Sequence, residues 1–296
     1  MIQPAYLKQG DQVAIIATAR KISQEELQPA VTFLESYGLS VVFGKHLFAI
    51  ENQYAGTDEQ RAEDLQWALN AAEIKAVFIA RGGYGTVRLM SSIDLSGFVK
   101  HPKWLVGYSD ITVLHNILHG KGVETLHATM PINFYKDEDA TRSMMQALMG
   151  GLTYATAKPH PLNRKGKASG EMVGGNLSLI YSLSGTMYDL DTKGKILFIE
   201  DLDEYLYHID RMMMQLKLSG KLETLAGLVV GGMTDMRDNL VPFGKTAEEI
   251  ILDAVKDYHF PVCFQFPAGH IDQNMALYFG RKTSFEVHAD TVSLSY

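Results

Sequence analysis

Cysteine is almost missing from this chain of 296 residues. The single Cys263 can close no intrachain disulfide and build no multi-cysteine metal site. It lies in the apolar run Pro-Val-Cys-Phe-Gln-Phe and is expected to fill a buried strand. Long hydrophobic runs are absent too, since none approaches the roughly 18 apolar residues of a membrane span. Basic excess is also lacking. With 27 basic against 34 acidic residues the formal charge is -7, and no Lys/Arg block stands out, so neither a membrane nor nucleic acid is an expected partner. The N-terminus has no basic start followed by an apolar stretch and a small-residue cleavage site, which makes the cytoplasm the expected compartment. No internal repeat is visible. Hydrophobic residues at 46% and charged residues at 21% argue against disorder. At roughly 100–200 residues per domain, the length allows two domains.

Standard cofactor motifs fail on inspection. From Gly83 and Gly85 a dinucleotide fingerprint would need glycine where Arg88 stands. Gly244-Lys245-Thr246 ends like a phosphate loop, but Asn239 occupies the place of its first glycine. His115 and His119 have the spacing of a zinc hydrolase helix, yet Asn116 replaces the glutamate base, so the pair reads as ordinary helix histidines. No metal and no cofactor are expected.

What is present is alternation. Apolar strands at 12–18, 40–43, 76–80 and 104–108 alternate with helical segments opened by Ser23 with Glu26, by Thr57, near Thr86 and at Ile111. Strands that are apolar on both faces predict an α/β fold whose N-terminal domain, residues 1–150, is a doubly wound parallel sheet of Rossmann or flavodoxin type. A polar, basic, proline-containing stretch over 151–169 reads as the linker. Residues 170–296 read as a mixed α+β domain. It has a helix entered at Asn176, strands at 196–199 and 225–230, helices near 205–218 and 247–258, and a terminal antiparallel set over 276–279, 283–287 and 291–295.

Three local arrangements carry chemistry. The strand 76–80 runs into Arg81-Gly82-Gly83-Tyr84-Gly85 and a helix, a turn that can aim N–H groups at a ligand or simply connect two elements. The strand 104–108 ends at Gly107-Tyr108-Ser109-Asp110. There Ser109 fits either a helix N-cap or a nucleophile elbow, although Ile111 replaces the usual second glycine. Finally, Ile196–Ile199 ends in Glu200-Asp201, and Phe266-Pro267-Ala268-Gly269 ends in His270. These place a carboxylate and an imidazole at strand or loop termini.

Taken together, Arg81–Gly85, Gly107–Asp110, Gly174-Gly175-Asn176-Leu177, Ile199-Glu200-Asp201, Ile209-Asp210-Arg211 and Gly269-His270 resemble the LD-carboxypeptidase family. These serine peptidases include muramoyltetrapeptide carboxypeptidases and microcin C immunity proteins, and the likeness spans nearly the whole chain. The resemblance implies a Ser–Glu–His triad of Ser109, Glu200 and His270, split between the two domains, and a homodimer. On that reading the N–H groups of Gly83 and Asp110 form the oxyanion hole, with Gly82 as the alternative to Gly83. Gly82 and Arg81 are weaker candidates for substrate contact. The implied substrate is a cytoplasmic murein tetrapeptide losing its terminal D-alanine. Arg81, Arg88 and Arg281 are the candidates for holding its carboxylate, and the sequence does not choose among them. Two other readings are an amidase acting on a peptidyl- or aminoacyl-nucleotide analogue, for which Trp67 and Trp104 are the only tryptophans, and a non-catalytic protein binding an anionic ligand. One departure is visible: where the family's first strand commonly ends in Pro-Ser, this chain has Thr18-Ala19. It bears on substrate contacts at that loop and not on the triad.

Overall fold

The computed structural model describes residues 1–296. Its first half runs β1 (Gln12–Ile16), α1 (Gln24–Ser36), β2 (Ser40–Phe43), α2 (Asp58–Asn70), β3 (Ile74–Ile79), α3 (Thr86–Leu89), α4 (Ser96–Lys100), β4 (Trp104–Gly107), α5 (Thr112–Gly120), β5 (Thr125–His127) and α6 (Glu138–Leu148). Capping boxes start the first two helices: Ser23 and Glu26 exchange side-chain and backbone bonds, as do Thr57 and Gln60. Strands β2-β1-β3-β4-β5 are parallel and lie in that order, the flavodoxin-like arrangement expected for this half. Leu27, Leu34, Met144 and Leu148 of α1 and α6 bury one face of the sheet. Leu65, Leu69, Leu114 and Leu118 of α2 and α5 bury the other. All strand C-termini therefore open on one edge.

The second half contains β6 (Tyr154–Ala157), β7 (Gly166–Asn176), α7 (Leu177–Leu183), β8 (Ile196–Leu202), α8 (Leu206–Leu218), β9 (Gly227–Thr234), α9 (Ala247–Ala254), β10 (Val262–Cys263), β11 (Leu277–Phe279), β12 (Lys282–Val287) and β13 (Val292–Ser295). Its sheet has the order β10-β9-β8-β7-β12-β13-β6, parallel through the first four strands and antiparallel beyond. A mixed α+β domain is expected here, and the sheet is mixed, with helices packed on its parallel part. Cys263 is buried in β10. No helix is long and apolar enough to cross a membrane.

Two details differ from the sequence reading. Residues 151–169, expected as linker, hold β6, which pairs with β13, and the first residues of β7. And β11 leaves the terminal antiparallel set to pair antiparallel with β5 of the first sheet. Its alternating side chains explain the placement: Tyr278 enters the core of the first half, while Leu277 and Phe279 enter that of the second. One strand thus seals both cores.

The halves also touch at β7 and α5. Gly175 packs so closely that a Cβ there would stand 2.3 Å from Thr112 Oγ1, and the Asn176 N–H donates to that oxygen at 2.9 Å. This junction brings the C-terminal edges of the two parallel strand sets together.

Candidate active site

Three adjacent loops of the first half, after β1, β3 and β4, form one wall at that edge. In the loop after β4, Gly107 has no room for a side chain, because a Cβ would meet Ile111 at 2.9 Å. Two residues later Ser109 takes φ 64°, a left-handed conformation that costs a non-glycine residue of the order of 1–3 kcal/mol. The sequence left Ser109 between an N-cap and a nucleophile elbow. In the structure its side chain caps no helix, and the strained φ is that of the elbow.

The opposite wall comes from the second half. Glu200, on β8, is fully buried, and His270 follows Gly269 in the segment after β10. His270 Nε2 lies 3.0 Å from Ser109 Oγ, and its Nδ1 lies 2.6 Å from Glu200 Oε2. An ionised carboxylate only accepts, so Nδ1 carries the proton and Nε2 is left to accept from the serine hydroxyl. The His270 backbone N–H donates to the same Glu200 oxygen at 3.0 Å. Gly269 makes the approach feasible: it has φ 102°, and a Cβ there would fall 2.7 Å from Glu200 Cβ. Asn274 accepts the Gly269 N–H at 2.8 Å, and the Thr234 hydroxyl donates to the His270 carbonyl at 2.7 Å, so the loop is held at both ends. Burial opposes the charged imidazole, but the Glu200 carboxylate outweighs it and raises the His270 pKa above its ordinary value. The Tyr108 ring lies edge-on to His270 at 4.9 Å. Burial pushes its hydroxyl up to about 12, so this neighbour stays neutral.

Asp201, next to Glu200, has a different task. It accepts from Asn176 Nδ2 and from the N–H and hydroxyl of Ser178 at the start of α7; burial, then the Glu200 charge, push its pKa up to about 6.

The glycine loop after β3 lies against Ser109. A Cβ on Gly82 would stand 3.3 Å from Ser109 Oγ, and Gly83 has φ 128°. The N–H groups of Gly83 and Asp110 donate to no other group of the chain. Buried Asp110 ties the two loops together by accepting the Thr86 N–H at 2.8 Å.

The arginine candidates separate by place. Arg281 is bound to Glu124 just before β5, on the far edge of the sheet, and Arg88 donates to both oxygens of Asp58. Arg81 stands on the site edge, 3.6 Å from Glu26. The histidine pair is likewise occupied: His115 bonds Thr125 and the Gly107 carbonyl, and His119 bonds Glu171. Gly244-Lys245-Thr246 opens α9, with Thr246 as its N-cap. A cleft of about 700 Å³ runs along Thr153–His160, but neither Ser109, Glu200 nor His270 lines it.

A serine oxygen, an imidazole and a buried carboxylate in series, between two α/β units, define a serine hydrolase. Residues 13–128 match the LD-carboxypeptidase N-terminal domain and residues 169–285 the C-terminal domain, and the chain belongs to that family. It is 38% identical to the probable murein peptide carboxypeptidase of Bacillus subtilis (strain 168), over 98% of this chain and 93% of that one. A crystal structure of muramoyltetrapeptide carboxypeptidase from Oxalobacter formigenes superposes with a TM-score of 0.87 at 26% identity, covering 96% of this chain and 97% of the other. The microcin C7 self-immunity protein MccF in complex with aspartyl sulfamoyl adenosine shares the fold, with a TM-score of 0.87 at 20% identity over 100% and 99% of the two chains.

Proposed function

We propose that this carboxypeptidase releases the terminal D-alanine of cytoplasmic murein tetrapeptides by nucleophilic catalysis at Ser109. The observation that carries the reading is the hydrogen-bonded series Ser109–His270–Glu200, in which the Ser109–His270 bond joins the two halves across 161 positions. His270 Nε2 takes the hydroxyl proton as Ser109 Oγ attacks the carbonyl of the diamino acid. The Gly83 and Asp110 N–H groups, free of other partners, receive the developing oxyanion. The C–N bond then breaks, His270 returns its proton to the departing amine of D-alanine, and an acyl-serine remains. Water attacks that ester with His270 again as base, which releases the tripeptide and restores Ser109. Glu200 holds the Nδ1–H tautomer and stabilises the imidazolium formed in each half of the cycle.

A nucleotide-analogue substrate is less well supported. Trp104 is buried against Tyr278, and Trp67 stands on α2 beside Phe43 and Lys45, so neither offers a base-stacking face at Ser109. The test is to incubate the protein and its Ser109→Ala variant with L-Ala-γ-D-Glu-meso-diaminopimelate-D-Ala and measure free D-alanine. Release by the wild type and its loss in the variant are expected. No release by the wild type removes the substrate assignment, and equal release by both removes the serine mechanism.

A further inference from the structure

A carboxypeptidase must distinguish a chain end from a chain interior, and a guanidinium fork is the side chain best matched to a terminal carboxylate. Arg81, Arg88 and Arg281, and Arg61 with them, have partners within the chain. Arg61, which lies under the glycine loop, is buried and donates to the carbonyls of Thr18 and Gly56. Arg88 is bound to Asp58, Arg281 is on the wrong edge, and Arg81 faces Glu26. Arg20, in the loop after β1, is exposed, forms no ion pair and donates no side-chain hydrogen bond.

Its position is specific. A Cβ on Gly83 would fall 2.6 Å from Arg20 Cγ and 2.9 Å from its Cδ, so the Arg20 stem lies flat on the glycine whose N–H is assigned above to the oxyanion. The backbone is held from both sides: Ala55 N–H donates to the Ala19 carbonyl and Lys21 N–H to the Gln53 carbonyl, each at 3.0 Å, and Arg20 itself bridges to Tyr54. The stem is therefore positioned before any ligand arrives, which lowers the ordering cost of binding. In a substrate cut at its last peptide bond, only the Cα of the leaving residue separates the scissile nitrogen from the terminal carboxylate. An anchor has to stand one residue from the oxyanion site, and the side chain stacked on Gly83 does so.

From this juxtaposition we infer that Arg20 binds the terminal carboxylate of the substrate and makes the enzyme specific for a free C-terminus. The inference rests on the carboxypeptidase reading above, and the experiment separates the two. The inactive Ser109→Ala protein, with and without Arg20→Met, is titrated calorimetrically with the tetrapeptide ending in D-alanine and with the same peptide ending in D-alaninamide. Methionine keeps an apolar stem on Gly83 and removes only the charged fork. The acid is expected to bind about 10- to 100-fold more tightly than the amide, and Arg20→Met to abolish that preference while leaving amide binding unchanged. Arg20→Lys should restore part of it. A preference that survives Arg20→Met, or that is absent from the start, overturns the anchor. In the Ser109-containing enzyme, Arg20→Met should raise KM for the acid by a similar factor with kcat nearly unchanged. D-Alanine release by the wild type reads the underlying function separately: if it fails while acid-selective, Arg20-dependent binding holds, the reaction assignment falls and the anchor stands.

Discussion

His270 sits between two opposing influences, and their balance sets a measurable property. Burial disfavours its charge and the Glu200 carboxylate favours it, with the carboxylate prevailing. A general base must be neutral to accept the Ser109 proton, so kcat/KM should rise with pH through the His270 pKa, with the midpoint of that acid limb above the ordinary 6.5. Glu200→Gln keeps the size of the side chain but removes the charge, leaving burial opposed only by the smaller influence of Asp201. The midpoint should then move to lower pH, and kcat should fall by about 10³–10⁴-fold as the tautomer and the imidazolium lose their support. A pH–rate profile of the two proteins checks both parts, and a midpoint unmoved by the substitution would remove Glu200 from its assigned role. Each of these residues is legible in the sequence as a polar group at a strand or loop end. Their convergence is not, because nothing in the spacing of Ser109, Glu200 and His270 encodes which strand ends face one another; the resemblance supplied that. Arg20 was missed for the same kind of reason. Its meaning comes from lying on Gly83 across the β1–β3 neighbourhood, a relation that appears only when the sheet order is known.

Among the elements, those with strong local signals were readable and those without were not. The capping boxes at Ser23 and Thr57, and the doubly apolar β1, β3 and β4, announce themselves through hydrogen-bond chemistry and burial. Strand β7 does not: Gly166-Lys-Ala-Ser-Gly-Glu-Met-Val-Gly-Gly-Asn is polar at one end and glycine-rich at the other, and its extended state comes from pairing with β12 on one side and β8 on the other. The glycines at its end serve close approach. Gly174 lies against the β8 backbone, where a Cβ would fall 1.9 Å from the Phe198 carbonyl oxygen, and Gly175 lies against Thr112 of α5. Gly175→Ala adds a methyl group at φ 129°, 2.3 Å from Thr112 Oγ1, and so meets both backbone strain and overpacking. It should destabilise the fold by about 2–4 kcal/mol in urea unfolding. It should also lower kcat, because it pushes α5 and the preceding Ser109 turn away from the half that carries His270. Wild-type stability in this variant would show that the β7–α5 contact yields freely.

For the molecule as a whole, the site requires both halves at once, and β11 provides the mechanical reason that they stay together. This strand follows the His270 loop and precedes β12, both parts of the second half, yet it hydrogen-bonds to β5 at the edge of the first sheet. Tyr278 reaches the first core and donates its hydroxyl to the Ala147 carbonyl of α6 at 2.6 Å, while Leu277 and Phe279 fill the second core. Arg281, immediately beyond, is paired with Glu124 and lies over the Tyr278 ring at 3.6 Å, so the crossing is fixed by apolar burial and by a largely desolvated ion pair together. Neither half can unfold without exposing the part of its core that β11 covers and stripping a strand from its neighbour's sheet. Thermal unfolding should therefore be a single cooperative transition, with calorimetric and van't Hoff enthalpies in agreement and loss of near-ultraviolet ellipticity coinciding with loss of activity. Two resolved transitions would show that the halves unfold independently. Tyr278→Ala is the discriminating variant: it removes the ring from the first core and its contact with Arg281, which keeps its pairing with Glu124, and should cost about 3–5 kcal/mol. If β11 is the coupling element, activity in that variant should be lost at the same temperature as the structure of both halves, lowered together, whereas a strand that merely decorated the sheet edge would leave the second half at its wild-type melting temperature.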